Sequence, residues 1–421
     1  MTDVIVLGAG IIGVCVAIHL QRRGRNVLLV DSNAPGRGTS FGNAGLIQRE
    51  GVRPHTFPRE FQTLLRIALK GGLDARYALS ALPGYAPLLA QYWWHSAPSR
   101  YRQIVADYAP LISHSLSEHA DLVAAAGAES LIHKDGWTLL FRSEESRDRT
   151  YADADRDARD YGVEHLKLDA AELARAEPDL RIRAAGGLRW TAPWSVQDPG
   201  LLVEAYAALF NQAGGTVTVG DARTLRQSGS GWTVETAAGP VTAAEAVVAL
   251  GPWSADVTRE LGYHLPLFVK RGYHREYSAV PGVMLNRPIL DVEIGYLLAP
   301  MQRGIRLTTG AEFDRRDAPK NETQLEGTEA AARQLFELGD RLDKTPWMGA
   351  RPCTPDMKPI IGPAPDHANL WFAFGHAHHG LTLGPVTGRL LAELMLGETP
   401  FVNAAPFSAA RFRGGRTRGV R

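Results

Sequence analysis

The chain has 421 residues, 45% of them hydrophobic and 22% charged, with a formal net charge of +1. That much apolar sequence can bury a full core in two domains, which excludes disorder over most of the length. The near balance of charge offers no field to steer a polyanion, so a small molecule is expected as partner and nucleic acid is not.

A buried strand is expected over residues 3–7. No charged leader, apolar signal core or cleavage site precedes it, so a cytosolic chain is expected. Gly8, Gly10 and Gly13 follow with the spacing G-x-G-x-x-G, and a helix is predicted over 11–23. In such a turn Gly8 permits the sharp bend, Gly10 lets backbone approach a pyrophosphate, and Gly13 lets helix and strand pack closely, while Ile11 and Ile12 open a helix whose N–H groups favour an anion. A second strand over 26–30 ends in Asp31 and Ser32, where the acidic residue that binds a ribose hydroxyl is expected. Asp31 would repel a 2'-phosphate. FAD and NAD both remain open on this motif.

Next comes a loop of small and hydroxylated residues, Thr39, Ser40, Phe41, Gly42, Asn43, Ala44, Gly45 and Leu46, suited to laying backbone donors along a ligand. Residues 56–130 carry helical spacing. No stretch is long enough to cross a bilayer, since 78–94 is broken by Pro83, Gly84, Pro87 and Gln91. Trp93 and Trp94 read as packed aromatics, with peripheral membrane contact left open. Strands are predicted over 137–142, 187–190, 216–219, 273–277, 296–300 and 305–310, with a hairpin at 228–231.

Residues 372–385 repeat the order of strand, glycine turn and helix start, the helix running through Leu396. They contain Gly375, His376, His378, His379, Gly380, Leu381 and Thr382. A second anion-friendly helix terminus suits reduced flavin, which is negative near its N1 and C2 carbonyl, and a nicotinamide has no need of one. The three histidines have metal-like spacing, but the loop supplies no carboxylate or thiolate, so no metal is expected. Cys15 and Cys353, far apart and in different motifs, suggest neither a disulfide framework nor flavin attachment; FAD is expected to be noncovalent and the compartment reducing.

The fold class is therefore α/β, or α+β overall. A Rossmann-like FAD-binding domain (1–55, 195–260 and 345–405) is interleaved with a substrate domain on an antiparallel or mixed sheet with helices (56–194 and 261–344), and an arginine-rich tail (406–421) is read as solvated.

The sequence resembles the D-amino acid oxidase-like FAD oxidoreductases, and within them the bacterial D-amino acid dehydrogenase group, over nearly its whole length. The resemblance rests on the Gly8 to Gly13 fingerprint with Asp31, the loop from Thr39 to Leu46, Ala249-Leu250-Gly251-Pro252-Trp253-Ser254, Arg271-Gly272-Tyr273-His274, Arg351-Pro352-Cys353-Thr354-Pro355-Asp356, and the segment from Gly375 to Gly388. It implies adenosine at Asp31, with Val219 touching the adenine through backbone, pyrophosphate over Gly10 to Gly13, and isoalloxazine between Asn43 to Leu46 and Gly380 to Thr382. His376 is expected to contact flavin or fix its turn.

Dehydrogenating an amine with flavin means a hydride-like transfer from the α carbon to flavin N5, so the protein must hold that carbon and favour the neutral amine. A carboxylate calls for an arginine fork, and the resemblance points to Arg351. It also sets Tyr273 and His274 over the flavin, and His379 is a candidate for the substrate amine. The expected activity is oxidation of a D-amino acid to an imine that hydrolyses to a 2-oxo acid, with a quinone or oxygen as acceptor. Glycine, sarcosine, hydroxyproline, or service as the flavoprotein subunit of a heteromeric dehydrogenase remain open, as does oligomeric state.

Overall fold

The structure, a computed structural model, describes residues 2–69 and 72–415. Arg416, Arg418 and Arg421 of the predicted tail lie outside the described residues, but its start is not solvated as expected: Phe407 and Ala409 are buried, and Arg411 pairs with Asp356 at 2.7 Å.

The strand Val4–Leu7 is buried on both faces, as strands of parallel sheets are. It pairs in parallel with Val27–Asp31 on one side and Glu245–Val248 on the other. Thr216–Ser228 extends the parallel run beyond Val27–Asp31, and Leu370–Phe374 extends it beyond Glu245–Val248. Antiparallel strands complete an eight-stranded sheet: Gly231–Thr236 and Gly239–Ala243 at one edge, Ile360–Pro363 at the other. Four parallel neighbours drawn from five distant stretches require crossovers, and those crossovers carry the rest of the molecule.

The helix Ile11–Gln21 is apolar nearly all round and buried through Leu20. It is clamped between Pro199–Gln212 and Gly380–Leu396. The second contact is made close by glycine: a Cβ on Gly388 would stand 2.6 Å from the Cys15 backbone, and one on Gly384 2.5 Å from Ile11 Cγ1. Side chains there would push the fingerprint helix away.

A ten-stranded sheet faces this unit. Its longest strand, Phe268–Tyr277, pairs antiparallel with Gly304–Thr308 on one side and with Trp347–Cys353 on the other. The predicted strands at 137–142, 187–190, 296–300 and 305–310 correspond to Trp137–Phe141, Gly186–Trp190, Tyr296–Met301 and Gly304–Thr308 of the same sheet. Five of its members escape sequence reading: Ala75–Tyr77, His165–Leu168, Ile289–Asp291, Ala311–Phe313 and Trp347–Cys353. Ala75–Tyr77, within the helical stretch 56–130, is three residues long, too short for a period. Trp347–Cys353 contains Gly349 and Pro352, which break a strand pattern.

The helices Phe61–Ala68, Leu82–His95, Pro98–Ser113 and Ser115–Ala126 fill the predicted helical region. Trp93 and Trp94 are not packed as expected but are 40% and 53% exposed. Arg59 lies 3.9 Å over the first ring and Arg100 3.6 Å over the second, so cations rather than the core cover them. Among the described residues no helix is long and apolar enough to cross a membrane.

Candidate active site

A cavity of about 1670 Å³ runs between the two sheets, from the glycine fingerprint at one end to Arg351 and His378 at the other. Pockets for one drug-sized ligand occupy roughly 300–1,000 Å³, so there is room for an extended dinucleotide and a second molecule. At the first end Gly8 turns at φ +106°, and its added Cβ would lie 2.5 Å from the Ala249 carbonyl oxygen. Gly13 has no room either, its Cβ falling 1.8 Å from the Gly8 oxygen. Gly10 differs: only Ser40 Oγ, at 3.4 Å, would meet its Cβ, so its free side is open to a ligand.

Gly8, Gly10, Ile11, Ile12, Asp31, Ser32, Thr39, Ser40, Asn43, Ala44 and Leu46 line this cavity, as do Gly251, Trp253, His376, Gly380 and Leu381. Ser40 Oγ accepts the Ile11 N–H at 3.0 Å and fixes the loop to the helix start. Asp31 accepts the N–H of Ala9 at 2.7 Å and that of Asn33 at 2.9 Å, which presets its carboxylate at the end of the second strand. Two helix starts, at Ile11 and at Gly380, therefore meet one space, each bringing unsatisfied N–H groups. This donor set fits a flavin dinucleotide.

Several expected residues do not line the cavity. Gly13, Gly45 and Gly375 shape the chain around it; Gly45, at φ +76°, has its Cβ position 2.3 Å from the Val196 oxygen. Thr382 ties the two ring-side segments together, its hydroxyl accepting the Gln48 N–H at 3.1 Å and donating to the Leu46 carbonyl at 3.3 Å. Val219 is 57% exposed, and its carbonyl is taken by the Ala237 N–H at 2.8 Å. Gly220, Asp221, Ala222 and Arg223 hold the wall beside it.

At the far end Arg351 sits over Gly272, where an added Cβ would lie 2.6 Å from the guanidinium. It donates to the Gly310 carbonyl at 3.1 Å and to Thr309 at 3.5 Å, and among the described residues it has no carboxylate partner. Burial pushes the guanidinium below its ordinary range. A guanidinium fork with donors to spare can receive a carboxylate.

Tyr273 lies at the wall, but its hydroxyl accepts from Arg271 at 2.6 Å and from the Asn321 N–H at 2.9 Å, and donates to Glu312 at 2.8 Å. It is spent on the protein. His274 is covered by Trp347, the two rings 4.9 Å apart and nearly parallel, and its Nδ1 lies 3.3 Å from the Gly42 carbonyl. Trp347 lines the cavity in its place. His379 Nδ1 is hydrogen-bonded to the Tyr108 hydroxyl at 2.7 Å, and His376 Nε2 to Thr387 at 2.9 Å. His378 lies between His379 and His55, with ring centroids 3.8 and 4.3 Å away. Burial holds all four neutral, His376 and His379 down to about 3 and His55 to about 4, with His378 well below its ordinary value.

Sequence reading missed Lys270, His55, Tyr92 and Glu50. Lys270 lines the cavity one register step from Gly272, donates to the Tyr92 hydroxyl at 2.9 Å, and among the described residues has no carboxylate partner. Tyr92 in turn donates to the His55 carbonyl. Glu50 accepts from Trp137 Nε1 at 2.7 Å and Gln48 Nε2 at 3.0 Å through one oxygen, leaves the other unpartnered, and is lifted by burial to about 7. Lys270 precedes the noticed Arg271-Gly272 pair, but without strand phase either basic residue could face a ligand. The other three have no motif around them.

The family model described as FAD dependent oxidoreductase matches residues 3–394. The D-amino-acid oxidase of Bradyrhizobium diazoefficiens is 31% identical over 97% of this chain and 98% of its own length. The D-amino acid dehydrogenase of Cereibacter sphaeroides is 31% identical over 97% of this chain and 95% of its own. Among solved structures, the glycine oxidase of Geobacillus kaustophilus shares the fold with a TM-score of 0.73 at 22% identity, covering 97% of this chain and 98% of that one.

Proposed function

The chain belongs to the FAD-dependent oxidoreductase family and is an amino acid oxidase or dehydrogenase of that family, and we propose that its substrate is a D-amino acid oxidised at the Cα–N bond. The observation that carries the reading is Arg351, a half-buried guanidinium without a carboxylate partner among the described residues, at the end of a cavity that begins at the dinucleotide fingerprint. Full-length relatives named for D-amino acids support the choice of enantiomer.

Arg351 takes the α-carboxylate, which fixes one end of the substrate and leaves the α carbon toward the ring-side wall. FAD, bound noncovalently along the fingerprint, supplies the acceptor for two electrons. The substrate loses two hydrogens across Cα and nitrogen, and the imine is hydrolysed by water to a 2-oxo acid and ammonia. Only a neutral amine can give up its nitrogen lone pair to that step. Glu50, lifted to about 7, can hold the amine's proton near neutrality, and the neutral histidines add no charge against the substrate. Burial pushes the Cys353 thiol up, which keeps it protonated and a poor nucleophile toward flavin.

Anaerobic bleaching of the bound flavin tests the reading. D-amino acids should bleach it, and Arg351→Met should not respond at the same concentrations. Bleaching by L-amino acids or 2-hydroxy acids alone, or by nothing in the panel, would sink it. Reoxidation by oxygen or by a soluble quinone then assigns the acceptor.

A further inference from the structure

We infer that the substrate carries two anionic groups, an amino dicarboxylate such as D-aspartate or D-glutamate, with Arg351 taking one carboxylate and Lys270 the other. This rests on the reading that the cavity oxidises an amino acid, and it names the class.

The argument begins with the ladder. Lys270 and Arg351 are direct register partners on Phe268–Tyr277 and Trp347–Cys353. Like charges placed opposite one another across antiparallel strands repel and destabilise the pair. Elsewhere in the sheet, buried cations are matched. Arg271 is paired with Glu312 and Asp314, Arg275 with Glu322 and Glu329, and Arg306 with Glu276. Among the described residues Lys270 and Arg351 have no such carboxylate, nor do Arg76 and Arg189 of the same sheet, but of these four only Lys270 and Arg351 face the cavity.

Among the carboxylates that share the cavity wall, Glu50 leaves one oxygen unpartnered and is neutral while it holds the amine's proton; the others are committed elsewhere. Asp74, Asp157, Asp221 and Asp256 each have an arginine, and Asp31 is held by two backbone N–H groups. That leaves two cations at the substrate end. A reactive amino acid with its amine neutral brings one negative charge if it has one carboxylate and two if it has a second. A buried charge left without a partner costs several kcal/mol, so only the dicarboxylate balances the site.

Geometry agrees with the charge count. The Arg351 guanidinium leans over Gly272, whereas Lys270 reaches to Tyr92. The two heads diverge from one rung toward points about one β repeat apart, roughly 6.6 Å. An arginine fork already satisfies both oxygens of a single carboxylate. The ammonium keeps donors beyond its bond to Tyr92 for a second.

The test compares ligands of equal length that differ by one charge. In the FAD-loaded enzyme, titrated by calorimetry, succinate should bind at least about tenfold more tightly than butanoate, the worth of one charge-assisted hydrogen bond. D-aspartate should exceed D-asparagine in kcat/KM by a similar factor. In Lys270→Gln, which keeps a donor for Tyr92, both ratios should collapse toward one. Equal binding of succinate and butanoate by the wild type, a measurement that needs no variant, overturns the inference, as does a preference that survives in Lys270→Gln. If succinate is preferred but no amino acid bleaches the flavin, the oxidation reading fails and the two-anion site stands. If D-alanine and D-asparagine are oxidised as readily as D-aspartate, the reverse holds.

Discussion

Arg351 binds nothing charged within the protein, so its removal should separate ligand binding from folding. Arg351→Met should lower kcat/KM by the cost of stripping one partner from a buried ionic contact, about 2–5 kcal/mol. FAD content, read from the ratio of flavin to protein absorbance, should stay that of the wild type. Tyr273 is the opposite case. Its hydroxyl satisfies Arg271, Glu312 and Asn321, so Tyr273→Phe should cost about 1–3 kcal/mol of unfolding free energy and move KM little; a large KM change with unaltered stability would return it to the substrate. Glu50→Gln should flatten the limb of the kcat/KM profile near pH 7, because the group that charges as pH rises through its lifted value is gone. The resemblance points to Arg351, and the structure sets that residue on the cavity wall. Orientation is not legible in the sequence. Along Phe268–Tyr277 side chains alternate between faces, so Arg271 and Tyr273 point together into buried pairing while Lys270 and Gly272 share the cavity face. His274 shares that face too but lies beneath Trp347, a cover that no local pattern announces.

At the scale of elements, the parts that read true are those whose job imposes a pattern. Val4–Leu7 and Val27–Asp31 are short apolar runs closed by glycine or aspartate, as buried parallel strands before a phosphate turn must be. Trp347–Cys353, which brings Arg351 to the cavity, has no such pattern because its glycine and proline interrupt it. The close crossing of Ile11–Gln21 and Gly380–Leu396 depends on Gly384 and Gly388. In Gly388→Ala the new carbon would meet the Cys15 backbone at 2.6 Å, and overpacking of this kind costs about 1–3 kcal/mol. Because Ile11 begins the helix at the fingerprint proposed to hold FAD, the purified variant should retain less FAD and melt earlier. Full flavin occupancy with an unchanged melting temperature would mean that the two helices can separate without disturbing the fingerprint.

Across the molecule, buried imidazoles set the response to acid. His19, His274, His376 and His379 are held down to about 3, and His55 and His119 to about 4, chiefly by desolvation. Unfolding returns each toward 6.5, so the unfolded chain binds more protons between the two values and stability falls as pH drops through that window. Glu50 and Glu177, raised to about 7 from 4.5, act in the other direction, their contribution being lost as pH rises through 7. The histidines outnumber them, so the urea midpoint should be lower at pH 5 than at pH 7. A midpoint that rose on acidification would reverse the sign.

The order of strands in the first sheet also has a consequence in time. Val4–Leu7 and Ile11–Gln21 leave the ribosome long before the strand that completes their neighbourhood, Leu370–Phe374, and the helix that clamps them, Gly380–Leu396. At about 5–20 residues per second, the apolar fingerprint helix waits roughly 20–70 s for its last partner. Until then neither the flavin floor nor the core behind it exists, so nascent chains of this protein should need a chaperone's shelter, and refolding from denaturant should be slow and prone to aggregation.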